Sequence, residues 1–157
     1  MGLRVARGDI WSFHTLRWIV IPTNAGWRRD GENVMGRGLA RDAALRWPEL
    51  PAWYGQVLQE DPDRAGVARY APGHLLTFPT KPRQVLPWTS WRYPATIEQI
   101  TMSCDELGRS LDSEWPDIDA IALPLVGCGN GGLEPAVVRP VLEEFFGRDP
   151  RFVLVIR

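Results

Sequence analysis

Two short apolar segments, each followed by a glycine-rich loop and then by a helical pattern, restrict the possible folds of this chain most strongly. The first is the run at residues 18–21 within "RWIVIPTN", and the second lies within "IDAIALPLV" at residues 118–126. Apolar runs without polar alternation are typical of strands in a parallel sheet that is covered on both faces. The two segments therefore predict two central strands of such a sheet.

Weaker patterns predict the remaining elements. Further strands are expected at residues 3–7, 66–73, 74–80 and 151–157, and helices at residues 39–47, 51–61, 95–115 and 135–147. Residues 81–94 are predicted to form an irregular loop. Because strands alternate with helices, we expect an α/β fold with a mixed, mostly parallel central sheet and helices on both faces, a three-layer α/β/α arrangement. The length of 157 residues fits one domain spanning residues 1–157.

Composition narrows the functional classes. The net charge of −1 gives no global basic field that would indicate nucleic-acid binding. The two cysteines are too few for a secreted disulfide scaffold, and the sequence has neither a signal-peptide core nor a membrane-spanning apolar run. His14 and His74 have no spaced partners. We therefore expect a cytoplasmic monomer that needs no membrane, no metal and no cofactor.

The two glycine loops suggest a binding pocket. The chain reads "NVMGRGLARDAA" after the first apolar strand and "VGCGNGGLEPAVV" after the second. Successive glycines allow a close approach of the backbone to a ligand, and a following helix adds free N–H groups and a partial positive charge. Neither loop matches a Walker or dinucleotide-binding fingerprint. The pair predicts a pocket that holds a diphosphate from both sides, although two ordinary strand-to-helix turns would give a similar pattern.

These motifs, taken in order, resemble a macrodomain, the ADP-ribose-binding fold. The resemblance runs from residue 8 to about residue 146, through "GDI", "IVIPTN", "VMGRGLA", "FPTK" and "LVGCGNGGLEP". It is closest to the branch of terminal ADP-ribose protein glycohydrolases and DarG-type DNA ADP-ribosyl glycohydrolases. The resemblance implies that ADP-ribose is the ligand and that ADP-ribosylated protein or DNA is the substrate. The ligand-binding residues that it implies are Asp9, Ile10, Met35, Gly36, Arg37, Gly38, Leu39, Thr80, Val126, Gly127, Cys128, Gly129, Asn130, Gly131, Gly132 and Leu133.

Within this resemblance, Lys81 and Asn24 are the implied catalytic residues. Lys81 is the only lysine among 18 basic residues, and it stands in the "FPTK" motif, whose lysine reacts at or beside the anomeric carbon of the distal ribose in this branch. A neutral amine can act as a nucleophile, whereas a guanidinium cannot. Asn24 matches the asparagine that touches the distal ribose, and Asp9 matches the aspartate that accepts a hydrogen bond from the adenine amino group.

One departure and two alternatives remain at this stage. The protein glycohydrolases of the branch have a catalytic aspartate in the second loop, but the aligned position here is near Gly131, as in the DarG type. The resemblance thus implies an ADP-ribosyl glycohydrolase whose linkage, an ester on protein or an N-glycosidic bond on a DNA base such as thymine, stays open. One alternative is a non-catalytic reader of ADP-ribose. The other is an unrelated phosphate-handling enzyme with Cys128 as its nucleophile.

Overall fold

A computed structural model describes residues 2–157. Its strands are β1 (Arg4–Arg7), β2 (Trp18–Asn24), β3 (Ala68–Tyr70), β4 (Leu75–Lys81), β5 (Ile121–Leu123) and β6 (Phe152–Ile156). Its helices are α1 (Gly38–Arg46), α2 (Leu50–Glu60), α3 (Ile97–Ser113) and α4 (Pro135–Phe146). Short 3₁₀ turns lie at Ile10–Phe13, Ala71–Gly73 and Pro87–Arg92. Across residues 2–157, no helix is long and apolar enough to cross a membrane.

The strands form one sheet in the order β1-β6-β5-β2-β4-β3. Every neighbouring pair is parallel except β3 and β4, which are antiparallel. The predicted α/β fold with a mixed, mostly parallel sheet is confirmed.

Alternate residues of the central strand β2 face two separate cores. Val20 packs with residues of α3 and α4, among them Leu107 and Leu142. Ile19 and Ile21 belong to the other core, which includes residues of α1 and α2. Because successive side chains of a strand point to opposite faces, the apolar run of β2 is buried on both sides. The sheet is therefore the middle of three layers.

The sequence also explains where the best-defined helix begins. Thr96 caps α3, since its hydroxyl accepts the backbone N–H of Gln99 at 3.1 Å, and Glu98 places a negative charge in the first turn. The buried face of α3 includes Ile100 and Cys104. This helix covers the sheet at the point where β4 ends, and so it supports one side of the site described below.

β2 and β5 separate at their carboxyl ends. The predicted strand at residues 118–126 pairs only over Ile121–Leu123, and its contact with β2 is limited to two residue pairs, those of Trp18 and Ile19. Pro124 and Pro22 stand where the ladder would continue, and proline has no N–H to donate. The strands therefore diverge, and a cleft opens above the sheet.

Candidate functional site

A cavity of about 610 Å³ occupies this cleft, above the carboxyl ends of β2 and β4 and beside the chain that leaves β5. Ligands of open parallel sheets bind in this position. The lining residues are Pro22, Thr23, Asn24, Arg28, Val34, Gly36, Arg37, Gly38, Leu39, Ala40, Thr80, Lys81, Trp91, Pro124, Leu125, Gly127, Gly129, Asn130 and Gly131. Both glycine loops and both implied catalytic residues thus meet in one cavity.

Several residues of the predicted site do not line this cavity. Ile10, Met35 and Val126 are buried in the two cores, and Cys128 and Leu133 pack against the core on the α3–α4 face. Gly132 lies at the exposed end of the second loop with a φ of +83°. Asp9 is exposed at the end of β1, where its carboxylate accepts the Trp11 N–H at 3.1 Å and caps a 3₁₀ turn.

The two glycine loops present free backbone donors. Within residues 2–157, the N–H groups of Gly129, Asn130 and Gly131 donate no hydrogen bond to other protein atoms. Gly38, with a φ of +58°, begins α1, and no side chain caps the first turn of this helix. Unpaired N–H groups in consecutive residues and at a helix N-terminus form anion-binding concavities. The cavity therefore offers two facing sets of donors for phosphate oxygens.

Gly131 occupies a position where no side chain fits. A Cβ atom there would lie 2.6 Å from the Gly127 carbonyl oxygen and 2.8 Å from the Cβ of Ala95. The second loop is folded tightly onto itself, since Leu133 also donates to the Gly127 carbonyl at 3.0 Å. An aspartate at position 131 would require the backbone to move. Consistent with this, none of the cavity-lining residues is an aspartate or a glutamate.

Lys81 and Asn24 are neighbours because they end adjacent parallel strands. The register of β2 and β4 shifts after Thr23, so that Asn24 pairs with Lys81. The backbone of Lys81 is fixed by a 2.9 Å hydrogen bond from the Ala25 N–H, and its Nζ donates to the Trp91 carbonyl at 2.9 Å. The amine is therefore held at the wall of the cavity, and the residue that carries it pairs with Asn24 at the end of the neighbouring strand.

The surroundings of Lys81 destabilise its charged form. Partial burial lowers the pKa of the ammonium group below its ordinary value, and the positive charge of Arg37 lowers it further. Both residues line the cavity. A lysine with a lowered pKa in a cleft is the usual environment of a nucleophilic amine.

Asn24 is held by the loop that follows it. Its side-chain oxygen accepts the Gly26 N–H at 3.0 Å, and its side-chain nitrogen donates to the Val34 carbonyl at 2.9 Å. The buried Asn33 donates to the Asn24 backbone carbonyl at 3.0 Å and to the Gly26 carbonyl at 2.8 Å. Sequence reasoning missed Asn33, because a polar residue in a glycine-rich loop is expected in solvent.

Two further lining residues, Arg28 and Trp91, come from loops whose course the sequence could not predict. Their only signal was the density of arginine and tryptophan in "AGWRRDG" and "PWTSWRYP".

Cys128 lies outside the cavity, and burial, with the negative charge of Glu134, raises the pKa of its thiol. A raised thiol pKa does not favour the hypothesis of a cysteine nucleophile.

The two histidines lie outside the cavity. The His14 ring contacts the Gly73 carbonyl, and His74 stacks on Trp18 at the amino end of β2. Neither residue lines the cleft.

Comparison with known proteins agrees with this geometry. No protein-family model matches the chain. It is 28% identical over 130 residues to a DNA ADP-ribosyl glycohydrolase of Mycobacterium tuberculosis, an alignment that covers 78% of this chain but 34% of the relative. The chain thus spans about a third of the curated relative that it matches.

Solved structures show the same architecture along nearly the whole chain. The macrodomain of Mycobacterium tuberculosis DarG superposes with a TM-score of 0.73 and 26% identity, covering 98% of this chain and 95% of that one. A Thermosipho africanus DarTG structure, in complex with ADP-ribose, gives a TM-score of 0.71 at 20% identity, with 98% and 41% covered. The sheet order, the two glycine loops and these superpositions lead to one assignment: the chain has the macrodomain fold and is similar to the macrodomains of DarG proteins.

Proposed function

We propose that this macrodomain is an ADP-ribosyl glycohydrolase, which releases ADP-ribose from a modified macromolecule. The observation that carries the proposal is the position of Lys81, which lines the cavity, pairs with Asn24 at the end of the neighbouring strand and has a lowered pKa. The similarity to a protein named DNA ADP-ribosyl glycohydrolase supports the same activity.

In this proposal the diphosphate lies between the two glycine loops. The free N–H groups of Gly129, Asn130 and Gly131 and the first turn of α1 would receive its oxygens, while Arg37 supplies a positive charge. The distal ribose would then lie above the ends of β2 and β4. The adenine would extend towards the end of β1, where Asp9 and Ile10 are located.

The chemistry requires a neutral amine. The nitrogen of Lys81 attacks the anomeric carbon of the distal ribose, and the bond from that carbon to the macromolecule breaks, with its electron pair leaving on the released group. The amine proton is transferred to the leaving group, and water then cleaves the ribosyl–lysine adduct to release ADP-ribose. No carboxylate side chain lines the cavity to act as a general acid. Lys81 is therefore both the nucleophile and the source of the proton for the leaving group. Asn24 orients the ribose for this attack.

The attached macromolecule is DNA or protein in this proposal, linked through a base such as thymine or through a Glu or Asp ester. DNA is favoured by the name of the relative and by the glycine at position 131. We further propose that the protein acts as a monomer in the cytoplasm.

Substitution of Lys81 tests the proposal. In single-turnover reactions with thymidine-linked DNA and with glutamate-linked protein, we expect Lys81→Ala to reduce ADP-ribose release by at least about a hundredfold, the scale of losing a positioned catalytic group. Calorimetry should show nearly unchanged binding of free ADP-ribose. Lys81→Arg should be equally inactive if the amine is a nucleophile and only slowed if it acts through its charge.

A matched control supports the interpretation. Arg46→Ala removes a cation from the far end of α1 and should leave release unchanged. Full activity of Lys81→Ala on both substrates would contradict the lysine mechanism. Tight binding of ADP-ribose by a wild-type protein that releases none from either substrate would instead identify a non-catalytic reader.

A further inference from the structure

Two loops pack against each other at the Lys81 end of the cavity. One follows β2 and the other follows β4, and they meet where Gly26 adjoins the Pro87 carbonyl and the Ser90 side chain. A Cβ atom on Gly26 would lie 2.3 Å from each of these two oxygen atoms, so the contact leaves no free space. Together the loops form a surface that we call the arginine–tryptophan rim, made of Trp27, Arg29, Arg83, Trp88, Trp91 and Arg92.

The cations of the rim stack on its aromatic rings. The Arg29 guanidinium lies 4.7 Å from the centre of the Trp88 ring, and that of Arg83 lies 5.5 Å from the centre of the Trp27 ring. The Arg92 guanidinium lies 5.4 Å from the centre of the Trp91 ring. Each guanidinium thus lies over an aromatic ring, an arrangement that a cation–π interaction favours.

The positive charge of the rim is not neutralised by ion pairs. In the described part of the chain, the ion-paired arginines are Arg64, Arg69, Arg109 and Arg151, and none of these belongs to the rim. The segment from residue 82 to residue 97 contains no acidic residue. In the other loop, the Asp30 carboxylate accepts the Glu32 N–H at 3.0 Å, within its own turn.

The aromatic part of the rim is partly open to solvent. Trp91 is 40% exposed, whereas Trp27 and Trp88 are half-buried. In the same loop as Trp91, Tyr93 is 47% exposed and Val85 is 98% exposed. Arginine and tryptophan side chains exposed together form a surface that is both cationic and able to stack. A peptide partner would not require this combination, whereas a nucleic-acid strand offers phosphates and bare base faces together.

The rim also stands where an attached macromolecule must leave the cavity. Trp91 lines the cavity, and its carbonyl accepts the hydrogen bond from the Lys81 amine. A base bonded to the anomeric carbon at Lys81 would therefore emerge beside Trp91. Such a base must be unpaired, because no duplex can place it at the bottom of a cleft.

We propose that the arginine–tryptophan rim binds single-stranded DNA on both sides of the ADP-ribosylated base. Its rings stack on neighbouring bases, and its guanidinium groups contact the phosphates between them. The proposal rests on the glycohydrolase function for its biological setting, but the surface can be tested alone, with DNA that carries no ADP-ribose.

The first experiment measures the binding of an unmodified twelve-nucleotide strand by fluorescence anisotropy at low salt. Trp88→Leu keeps an apolar side chain but removes the stacking ring, and we expect it to weaken binding at least about fivefold, the low end of a lost base stack. Arg29→Glu should weaken binding at least as much. It should also reduce the slope of log K against log salt by about 0.7, the value of one lost phosphate contact on a single strand.

The matched control is Arg46→Glu. Arg46 also lies over a tryptophan ring, that of Trp11, at 4.1 Å, but about 12 Å along α1 from the cavity end of the helix. This variant makes the same change of charge and should bind the strand like wild type. Equal losses in Arg46→Glu and Arg29→Glu would overturn the proposal, since they would indicate a general charge effect.

Further measurements separate strand binding by the rim from catalysis at Lys81. Lys81→Ala should bind the unmodified strand normally, and Trp88→Leu should bind free ADP-ribose normally while requiring more ADP-ribosylated DNA to reach half-maximal release. The proposal is overturned if duplex DNA binds as tightly as the single strand, if Trp88→Leu and Arg29→Glu both bind like wild type, or if their only defect is in release from modified protein. Failure of ADP-ribose release by wild type would contradict the glycohydrolase function and leave the strand-binding result standing.

Discussion

Lys81 can be observed alone, because no other lysine is present in the chain. Its neighbours determine how readily it loses its proton. The nearest cation in sequence is Arg83, two residues away, but its guanidinium stacks on Trp27, and the charge that lowers the Lys81 pKa comes from Arg37 in the first glycine loop. Besides burial, a residue distant in sequence therefore lowers the pKa of this amine.

We predict that the Lys81 side chain, labelled with ¹³C at Cε, titrates below 10.5 in the free protein. Arg37→Met should raise the midpoint, because it removes a like charge, whereas Arg83→Met should leave it unchanged. Nuclear magnetic resonance of the single labelled lysine measures all three values, provided that the purification tag has no lysine. A midpoint that moves in Arg83→Met and not in Arg37→Met would contradict the assignment.

The same shift links Lys81 to stability. Between its folded-state pKa and 10.5, the folded protein binds fewer protons at this site than the unfolded chain does. The contribution of Lys81 to the free energy of unfolding therefore rises with pH through that window and is least favourable below it. Arg37→Met should raise the folded-state pKa of Lys81, and the pH window in which stability rises should therefore begin at a higher pH.

At the scale of elements, the second glycine loop combines positions that tolerate a side chain with positions that do not. A Cβ at Gly129 meets no atom within 4 Å, whereas a Cβ at Gly131 meets the Gly127 carbonyl oxygen at 2.6 Å. Gly129 also lines the cavity, and its N–H is free. A side chain at Gly129 therefore occupies ligand space without disturbing the loop.

We predict that Gly129→Val retains the wild-type melting temperature to within about 2 °C but binds ADP-ribose at least about tenfold more weakly, a loss of about 1.4 kcal/mol. Calorimetry and thermal denaturation measure the two quantities. The control is Gly108→Val on α3, where a Cβ also meets no neighbour and no ligand is near. Unchanged affinity in Gly129→Val would place the phosphates away from the second loop.

The elements also show what the sequence could and could not predict. The meeting of Asn24 and Lys81 was predictable, since both end apolar strands and parallel strands end at one edge of a sheet. The places of Asn33 and Trp91 were not, because the loops that carry them take their shape from each other and from buried hydrogen bonds. The extent of β5 was overestimated, because apolar residues beyond Leu123 are buried without pairing with β2.

At the scale of the whole molecule, one edge of the sheet contains the site. The ends of β1, β2, β4 and β5 bring Asp9, Asn24, Lys81 and the second loop to the same side, while His14 and His74 lie at the other end. A ligand that reaches from Asp9 to Lys81 would cross three strand ends. ADP-ribose has the extended form that this span requires, with a purine at one end and a ribose at the other.

We therefore predict that free ADP-ribose at about one hundred times its Kd raises the free energy of unfolding by about 2.7 kcal/mol, which corresponds to a shift of roughly 5–10 °C in Tm for a chain of this size. Asp9→Ala should weaken binding by about 1.5–3 kcal/mol through loss of a charge-assisted hydrogen bond to the adenine amino group.

The substitution also removes the cap of the 3₁₀ turn at Ile10–Phe13, so a second ligand is needed to separate the two effects. The hypoxanthine analogue of ADP-ribose carries a carbonyl oxygen in place of the amino group. If Asp9 contacts the purine, wild type and Asp9→Ala should bind this analogue with similar affinity and differ only with ADP-ribose. If Asp9 acts only through the turn, the substitution should weaken both ligands equally, and the purine end of the site would then have to lie elsewhere along the edge of the sheet.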